Sequence, residues 1–484
     1  MSVEIKDQIF REYDIRGRFG DDLTADVAEC LGKAYSLYLR EKTGKDYLTV
    51  SVGRDVRISS GELRDALVRG LTSSGVNCMD IGVCPTPLQY FSLHTIALDG
   101  GVMITGSHNP PEYNGFKISV GKETIHGGEI QRLKGVMKEV AAAPTEAAFF
   151  CGRVDRLDIL SKYVDYHAKG FSATLPPAGL KRPVKVVIDA GNGTGGLVAP
   201  ELLRRLGCEV VELFCEPDGR FPNHHPDPTV PENMKSLADR TKSEGADFGV
   251  GYDGDSDRIG VVDEKGAIIW GDQLMVVYAR DILRSRPGST IVGEVKCSQV
   301  MYDEIERLGG HAVMWKTGHS LIKSRMKELK ASLAGEMSGH IFFADRYFGF
   351  DDAIYATCRL VEIMAGRIRK EPETRFSTLL DGLPKTFVTP EMRLECPESE
   401  KFRIIERLKD TVAKTRETSG IKDIIAIDGL RVVFDGGWAL VRASNTQPVL
   451  VFRFEAKSPE LLEKFKTFMR ENLKGVRPEA GVPF

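Results

Sequence analysis

Short runs of apolar, β-branched residues alternate with helical periodicity through about the first 380 residues of the chain, a pattern that predicts α/β domains with helix-covered sheets. Nearly all of the predicted strands run into a loop that contains Gly, Ser or Asp. Ligands of open α/β sheets gather at the loops that leave the carboxyl ends of strands, so these loops are where candidate chemistry is expected. The predicted strands are Leu48–Gly53, Gly101–Thr105, Val184–Asp189, Phe248–Gly251, Ile259–Asp263 and Thr290–Val295.

The C-terminal part of the chain has a different pattern. Strands Gly429–Phe434 and Trp438–Arg442 are predicted on either side of Asp435-Gly436-Gly437, which is a hairpin signal. The loop that begins at Arg442 follows the second of these strands, counted there as Trp438–Val441, and a further strand is predicted after it, over Val449–Phe454. This succession of strands indicates a smaller α+β domain.

A helix is predicted at the end of this domain. Ser458 and Pro459 form an N-cap and first-turn pair, and Gly475 is expected to end the helix. The sequence after Gly475 is expected to be a loose tail. One helix face is apolar and indicates core packing; it consists of Leu461, Leu462, Phe465, Phe468, Met469 and Leu473.

At 484 residues the chain is longer than one hydrophobic core usually supports, so several domains are expected. Boundaries are indicated at Ala141–Ala148, at Asp263–Gly271 and at Pro384–Pro397, where prolines interrupt the periodicity. We therefore expect three α/β domains over 1–155, 156–266 and 267–383, and the smaller α+β domain over 384–484.

Composition excludes several classes of protein. Net charge is −3 with acidic and basic residues interspersed, which leaves no basic face for nucleic acid. The nine cysteines are scattered without a C-x-x-C pair, as suits a reducing cytosol. No segment approaches the roughly 20 apolar residues needed to cross a bilayer, and the N-terminus lacks the apolar core of a signal peptide. We expect a cytoplasmic protein without a nucleic-acid or membrane partner.

The first loop of interest is Thr105–Pro110, after the apolar strand. Gly106 permits a tight turn, and Ser107 would emerge at a strand end, where a hydroxyl can act as a nucleophile. A polar turn without chemistry explains these residues equally well. The G-x-S-x-G motif of many hydrolases is absent, because Gly106 directly precedes Ser107.

The second loop is Asp253-Gly254-Asp255-Ser256-Asp257-Arg258. Carboxylates at alternate positions of an extended segment point to one side, so three oxygen ligands can converge on one cation. Without a cation they would repel each other. A surface turn without a bound cation is the alternative. An EF-hand loop would place Glu264 at its twelfth position, but its sixth position requires Gly and here is Arg258, and strands rather than helices flank the loop.

Two further loops are polar but weaker signals. Gly335–His340 offers Glu336, Ser338 and His340 between glycines, a set that can bind sugar hydroxyls. Arg442–Thr446 offers a guanidinium, two hydroxyls and an amide, which could hold a phosphate; pairing of Arg442 with a neighbouring acid is the alternative. Taken together, the four loops describe phosphoryl transfer on a sugar phosphate.

The ordered motifs TGSHNP, DGDSDR, GEMSGH and RASNT, with FREYDIRG at residues 10–17, resemble the α-D-phosphohexomutases, closest to the bacterial phosphomannomutase/phosphoglucomutase branch. The resemblance runs from Phe10 to the fourth loop. It implies a heart-shaped, four-domain protein, with three α/β mixed-sheet domains and a smaller C-terminal domain that each give one loop to a central cleft. It also implies a monomer that acts on mannose and glucose 1- and 6-phosphates.

The resemblance carries specific roles. It implies that Ser107 is a phosphoserine, that Asp253, Asp255 and Asp257 bind Mg²⁺ with a phosphoserine oxygen, and that Arg258 lies beside the transferring group. Glu336 and Ser338 would bind sugar hydroxyls. The phosphate that does not react would be held by Arg442, Ser444, Asn445 and Thr446. Further family positions are matched by Tyr13, Arg16, His108, Lys117, Lys296, His319 and His340, of which Lys117 and His340 are the candidates for proton transfer.

Two details qualify the resemblance. The block Gly53-Arg54-Asp55-Val56-Arg57 matches a family motif, although internal ion pairing could also explain it. Gln447 follows the fourth loop, where related mutases often have an acidic residue.

The activity implied is the interconversion of hexose 1-phosphate and hexose 6-phosphate through a hexose 1,6-bisphosphate, with glucose or mannose 1,6-bisphosphate as activator. A phosphoglucosamine mutase is the alternative within the family, although its N-terminal motif and sugar loop usually differ. A metal-dependent sugar phosphatase and a silent sugar-phosphate binding protein are alternatives from other classes.

Overall fold

The computed structural model describes residues 3–142, 151–176, 178–414, 416, 419–445, 447–477, 481, 482 and 484. These residues form two units, one of residues 1–281 and 338–379 (unit 1) and one of residues 282–337 and 380–484 (unit 2). Part of the predicted boundary at Ala141–Ala148 lies outside the described residues. Among the described helices, none has both the length and the apolar composition needed to cross a lipid bilayer.

The strands are numbered in chain order. They are β1 (Ile15–Arg18), β2 (Leu48–Arg54), β3 (Val76–Val83), β4 (Gly100–Ile104), β5 (Tyr113–Val120), β6 (Glu123–Thr124), β7 (Val154–Arg156), β8 (Lys185–Asp189), β9 (Glu209–Leu213), β10 (Phe248–Tyr252), β11 (Ile259–Asp263), β12 (Ile268–Ile269), β13 (Thr290–Glu294), β14 (His311–Trp315), β15 (Leu333–Gly335), β16 (Ile341–Phe343), β17 (Phe387–Val388), β18 (Met392–Glu395), β19 (Ile421–Ile425), β20 (Leu430–Phe434), β21 (Gly437–Ala443) and β22 (Val449–Ala456).

The α-helices are numbered in the same way. They are α1 (Ala25–Thr43), α2 (Ser60–Ser73), α3 (Thr86–Thr95), α4 (Gly128–Ala142), α5 (Ile159–Phe171), α6 (Ala199–Arg205), α7 (Lys235–Glu244), α8 (Gly271–Ser285), α9 (Gln299–Arg307), α10 (His319–Leu329), α11 (Ala353–Lys370), α12 (Lys401–Lys414) and α13 (Pro459–Val476).

Unit 1 contains two mixed sheets. The first has the strand order β1-β5-β4-β2-β3-β7, with β6 on β5. Within it β2, β3, β4 and β7 run parallel, and β5 runs antiparallel to both β4 and β1. The second sheet has the order β12-β11-β10-β8-β9, and its antiparallel pair β10 and β11 is joined by the loop of the three aspartates. The α/β prediction is confirmed, and both candidate loops of this unit leave strand ends.

Unit 2 contains a parallel group of strands and an antiparallel sheet. Strands β14 and β15 both pair in parallel with β13, whose carboxyl end leads to Lys296. The antiparallel sheet has the order β17-β22-β21-β20-β19, with β18 on β22, and α12 and α13 supply apolar side chains to its core. The predicted strands of this sheet are confirmed to within a few residues.

The end of the chain differs from the sequence expectation. Ser458 caps α13 as predicted, accepting from Leu461 N–H, but Gly475 does not end the helix, which continues to Val476. The expected loose tail is also wrong at Phe484, whose ring packs against Phe452 and Phe454 of β22. An apolar terminal residue buries its ring there instead of exposing it to water. Residues 478–480 and 483 lie outside the described residues.

Helices α1 and α2 of the first domain pack backbone to backbone. A Cβ atom added to Gly70 would lie 2.1 Å from the Glu29 carbonyl oxygen, and one added to Gly32 would lie 2.4 Å from that of Leu67. Real Cβ atoms do not come so close to backbone, so the helices would have to separate. These two glycines therefore set the distance between the helices that cover one face of the first sheet.

We predict that Gly70→Ala lowers stability by about 1–3 kcal/mol through overpacking, visible as a lower midpoint of thermal unfolding. Gly61→Ala is the matched control, since Gly61 lies in the same helix and a Cβ there would meet nothing within 4 Å. The control is expected to leave the midpoint unchanged or raise it. Equal losses in both variants would contradict the packing argument.

Candidate active site

The loop that carries Ser107 follows β4 and precedes β5. Ser107 has a φ of 48°, in the left-handed region that residues other than glycine rarely adopt. Its N–H donates to Thr105 Oγ1 (2.8 Å), and its hydroxyl donates to Asp253 Oδ2 (2.9 Å) and lies 3.1 Å from His108 Nδ1. The hydroxyl of Ser107 is therefore buried against the aspartate loop.

The aspartate loop gathers three negative charges. Asp253, Asp255 and Asp257 are fully buried, and one oxygen of each lies within 4.8 Å of the others. Burial, together with the charges of Asp257 and Asp255, raises the pKa of Asp253 well above its usual value. The three carboxylates meet at one point, where they repel each other. The segment is a turn, in which the Ser256 N–H donates to the Asp253 carbonyl oxygen (3.1 Å), and not the extended segment expected from sequence.

This cluster fits a divalent cation. Within the described residues, Asp255 Oδ1 and Asp257 Oδ1 are buried without a hydrogen-bond donor. Buried polar atoms normally have a partner, and hard divalent cations bind carboxylate and hydroxyl oxygens. Asp253, Asp255, Asp257 and the oxygen of Ser107 could therefore hold such an ion together.

A buried ammonium group already offsets part of the negative charge. Lys117 lies on β5, and its Nζ is 2.9 Å from Asp255 Oδ2 and also contacts Asp257. Burial would lower the pKa of Lys117, but Asp255 and Asp257 outweigh it and raise that pKa well above its usual value. Burial would likewise raise the pKa of Asp255, but Lys117 and a hydrogen bond from Thr86 Oγ1 (2.5 Å) lower it. Lys117 therefore stays protonated here.

Arg258 and His340 form a pair next to the cluster. Arg258 Nε donates to His340 Nε2 (2.9 Å). Because a guanidinium only donates, Nε2 is the acceptor, and the hydrogen of the neutral ring is on Nδ1. That Nδ1 lies 3.1 Å from Asp351 Oδ2 and 3.6 Å from Asp257 Oδ1. Asp351 thus faces the protonated side of the ring.

The remaining predicted residues of unit 1 surround the serine loop. Arg16 Nη1 donates to Asn109 Oδ1 (2.9 Å), and Arg16 also pairs with Asp14. Loss of solvent and the charges of Arg258 and Arg16 lower the pKa of His108 well below its usual value, so its ring is neutral. Tyr13 is buried just before β1. Ser338 is the first residue of the predicted sugar-binding loop, Gly335–His340, that belongs to unit 1.

Unit 2 holds a second group of charged residues. Lys296 Nζ lies 3.0 Å from Glu391 Oε2 and 3.6 Å from Glu294 Oε1. Burial would lower the pKa of Lys296, but these two carboxylates raise it, and Lys296 in turn helps to hold the pKa of Glu391 at about 2 against the effect of burial. Glu336 accepts from the Gly318 N–H (2.7 Å). This hydrogen bond fixes the start of the predicted sugar-binding loop, Gly335–His340, against the turn before α10.

The predicted phosphate loop follows β21. Arg442 Nε donates to Asp428 Oδ2 (2.9 Å), so the acidic neighbour considered from sequence is present. Beneath the loop, the buried Lys401 donates to the carbonyl oxygens of Ser444 (2.5 Å) and Gln447 (3.2 Å). The loop backbone is therefore held from inside the domain, by a lysine that the sequence did not single out.

Three predicted residues of unit 2 remain. His319 is nearly buried at the first position of α10, and Asn445 is half-buried next to Ser444. Thr446 lies outside the described residues.

Sequence reasoning missed the partners that orient these groups. Except for Glu294, which lies two residues before Lys296, they lie more than ten residues from the groups that they contact, and their residue types are common at surfaces. Only Asp351 had a signal, because Asp351-Asp352 precedes a helix; that signal indicates an N-cap, which Asp352 forms with Tyr355 N–H. The missed partners are Thr86, Glu294, Asp351, Glu391, Lys401 and Asp428.

Four family descriptions match successive parts of the chain. They are phosphoglucomutase/phosphomannomutase alpha/beta/alpha domains I (residues 7–139), II (161–266) and III (270–387), and the C-terminal domain (391–472). The chain belongs to this family. The four matched segments follow one another along the chain in the order of the motifs. The family assignment therefore covers residues of both units.

Individual relatives agree with this assignment. A phosphomannomutase/phosphoglucomutase of Pseudomonas aeruginosa is 45% identical over 477 residues, covering 98% of this chain and 97% of that protein. A phosphoglucomutase of Neisseria gonorrhoeae is 43% identical over 97% of this chain and 98% of its own length. A crystal structure of a phosphoglucomutase/phosphomannomutase family protein from Burkholderia thailandensis has a TM-score of 0.89 at 40% identity, covering 99% of this chain and all of that one.

We predict that this chain binds a divalent cation at the aspartate loop. Asp253→Asn should weaken the binding of Mn²⁺, followed by electron paramagnetic resonance, by about tenfold or more. The substitution removes the charge while the side-chain oxygen can still accept from the N–H groups of Asp257 and Arg258. Asp239→Asn is the control, because Asp239 is exposed and pairs only with a surface lysine in the contacts described. Unchanged binding in Asp253→Asn would exclude this loop as the cation site.

We also predict that neutral His340 carries its hydrogen on Nδ1. Asp351→Asn should shift the ring toward the Nε2-protonated form, because the new amide can donate to Nδ1. Long-range ¹H–¹⁵N correlation spectra of histidine-labelled protein distinguish the two forms, and His340→Gln assigns the signal. The other histidines among the nine serve as internal controls. An Nε2-protonated ring in the unsubstituted protein would contradict the geometry.

Proposed function

We propose that this protein is a phosphomannomutase/phosphoglucomutase that interconverts hexose 1-phosphates and hexose 6-phosphates. One observation carries the proposal: the Ser107 hydroxyl is 2.9 Å from Asp253 in a cluster of three buried carboxylates that also contacts Lys117. A nucleophilic oxygen, a cation site and a fixed positive charge are the parts that phosphoryl transfer requires. The names of the close relatives support the same activity.

Mg²⁺ is the cation we propose for the cluster. Asp253, Asp255, Asp257 and an oxygen of phosphorylated Ser107 would hold it. When bound, it would neutralise charge on the phosphoryl group and the leaving oxygen. The ammonium group of Lys117 would add a second positive charge from β5.

In the proposed step, the free hydroxyl of a hexose monophosphate attacks the phosphorus of phosphorylated Ser107. The bond from phosphorus to the hydroxyl oxygen forms, and the bond to Ser107 Oγ breaks. The hydroxyl proton passes to His340 Nε2, which becomes available when Arg258 donates to the phosphoryl oxygens instead of to the ring. The product is a hexose 1,6-bisphosphate, and the reverse step returns the other phosphoryl group to Ser107 with the proton from His340.

His340 suits proton transfer better than Lys117 in this arrangement. A base needs a lone pair, and Nε2 of the neutral imidazole has one. The raised pKa of Lys117 keeps its amine protonated while it contacts Asp255 and Asp257. We therefore propose that Lys117 acts through its charge, as Arg258 does, and that His340 moves the proton. Arg16 and His108 would assist by holding the serine loop.

The residues of unit 2, with Ser338, would bind the rest of the sugar phosphate. Glu336 and Ser338 would accept from and donate to sugar hydroxyls. The phosphate that does not react would be held by the residues of the fourth loop, Arg442, Ser444, Asn445 and Thr446. Tyr13, Lys296 and His319 would complete the substrate contacts. Because there is one donor serine and one phosphate loop, the bisphosphate must turn end for end between the two steps, and glucose or mannose 1,6-bisphosphate would prime the enzyme.

We predict that Ser107→Ala lowers mutase activity by about 10³-fold or more, because the phosphoryl carrier is removed. The assay contains Mg²⁺, a trace of glucose 1,6-bisphosphate and glucose 1-phosphate or mannose 1-phosphate, and it measures the 6-phosphate formed. Binding of glucose 1-phosphate by calorimetry should change little. Ser73→Ala is the control, since Ser73 only bonds a carbonyl within its own helix in the contacts described.

The same assay separates the alternatives. Release of inorganic phosphate without isomerisation would replace the mutase with a phosphatase. Conversion of glucosamine 1-phosphate alone would assign the protein to the amino-sugar mutases. Full activity of Ser107→Ala would remove Ser107 as the carrier.

A further inference from the structure

Arg57 has no place in the mechanism above, yet its side chain is fully buried beneath the Ser107 loop. It comes from the block Gly53-Arg54-Asp55-Val56-Arg57, which the sequence leaves without a role beyond ion pairing. Burying a guanidinium is costly unless its N–H groups all find acceptors. The acceptors of Arg57 therefore indicate what it does.

Four of those acceptors are backbone carbonyls, three in the serine loop and one at Tyr113, the first residue of β5. Nη1 donates to the carbonyl oxygens of Pro110 (2.5 Å) and Tyr113 (3.0 Å). Nη2 donates to those of Ser107 (2.7 Å) and Asn109 (2.6 Å). The loop is thus wound around one planar cation, with its carbonyl dipoles pointing inward at the positive charge.

Asp55 fixes the cation from the other side. Its Oδ2 accepts from Arg57 Nε (3.1 Å) and from the Gly106 N–H (3.1 Å), and its Oδ1 accepts from the Arg57 N–H (3.0 Å) and the Ser60 hydroxyl (2.5 Å). The residue before Ser107 and the guanidinium therefore share one carboxylate. Together Asp55 and Arg57 bind both sides of the reactive serine.

Close packing leaves the guanidinium little freedom. A Cβ atom added to Gly106 would lie 2.5 Å from Arg57 Nε and 2.6 Å from its Cζ. On the second domain, a Cβ added to Gly219 would lie 2.7 Å from Arg57 Cα, and the ring centroid of Phe221 is 5.2 Å from Cζ. At Gly106 the guanidinium occupies the space that a side chain would take, whereas at Gly219 the backbone of Val56 and Arg57 occupies it.

We propose that Arg57 is a positioning residue for phosphoryl transfer, which holds Ser107 in its left-handed conformation with Oγ directed at Asp253. This inference rests on the proposed function, in which Ser107 carries the phosphoryl group. The inward carbonyls and the φ of 48° are unfavourable for a free loop, which would turn its carbonyls to water and relax the backbone. The Arg57 guanidinium beneath the loop offsets both of these costs, because it donates to the inward carbonyl oxygens.

The arginine cannot be replaced by lysine in this role. A guanidinium presents five N–H groups in a planar fork, whereas an ammonium has three on one nitrogen. Arg57→Lys keeps the charge next to Asp55 but cannot reach four separated carbonyls. Misplacement of a reacting atom by about 1 Å can cost about 100-fold in rate.

The first test compares Arg57→Lys with Arg64→Lys. Arg64 lies in the same domain, on α2, and pairs with Asp80 away from the serine loop. We expect Arg57→Lys to lower kcat about 100-fold with KM for glucose 1-phosphate changed less than about threefold, and Arg64→Lys to keep kcat within about twofold. Unchanged kcat in Arg57→Lys, or an equal fall in Arg64→Lys at the same thermal midpoint, would overturn the proposal.

A second variant keeps the proposal testable if Arg57→Lys does not fold. Gly106→Ala keeps every charge and donor, and Gly106 does not have a left-handed φ. The new methyl acts by crowding the guanidinium and the Tyr113 carbonyl oxygen (2.8 Å), which accepts from that guanidinium. It should also lower kcat at nearly constant KM, and a Gly106→Ala enzyme with full kcat would overturn the proposal. If Ser107→Ala is inactive while Arg57→Lys and Gly106→Ala are fully active, only the inference about Arg57 fails. If Ser107→Ala is active, the proposed function fails.

Discussion

Three carboxylates buried within 4.8 Å of one another are the constraint on which unit 1 depends. Their repulsion is offset from several directions: the ammonium of Lys117 from the first sheet, the Thr86 hydroxyl from the start of α3, and backbone N–H groups within the turn itself. Because these groups come from two different sheets, the charges of the loop also fix one domain against the next. A bound divalent cation would neutralise the negative charge of the three carboxylates that these groups leave uncompensated.

Buried cations also shape the loops that carry the candidate chemistry. Arg57 donates to three carbonyl oxygens of the serine loop and to that of Tyr113 at the start of β5. Lys401 donates to the carbonyl oxygens of Ser444 in the fourth loop and of Gln447 just after it. In both cases a cation inside the domain donates to the inward-pointing carbonyl oxygens, so the side chains of the loop are presented on the opposite surface. The conformation of such a loop is held by hydrogen bonds from inside the domain, and it does not depend on contacts with a ligand. The two are not equal, since the fork of Arg57 fixes orientation and the single nitrogen of Lys401 fixes only distance.

The sequence predicted local features well, because these depend on neighbouring residues. Strand Ile259–Asp263 was predicted to the residue, and so was the convergence of Asp253, Asp255 and Asp257. A turn with Ser256 at a φ of 61° brings them together, however, and not the extended segment that was expected. What it did not predict depends on long-range packing. The contact of Lys117 with Asp255 joins residues 138 positions apart, and nothing near His340 in the chain indicates that Asp351 faces its ring. Gly475 failed as a helix end for a similar reason, since α13 continues to Val476, a residue buried in the core.

The charges of unit 2 are arranged differently from those of unit 1. Each cation that would meet an anionic ligand already has a carboxylate beside it, Glu391 for Lys296 and Asp428 for Arg442. The pairs are close to neutral, so they create little long-range attraction for anions, in keeping with a chain whose net charge is only −3. Their side chains are nonetheless held in place by these partners. If the proposed phosphate site of this unit is correct, its selectivity would come from the geometry of fixed donors at short range rather than from excess positive charge.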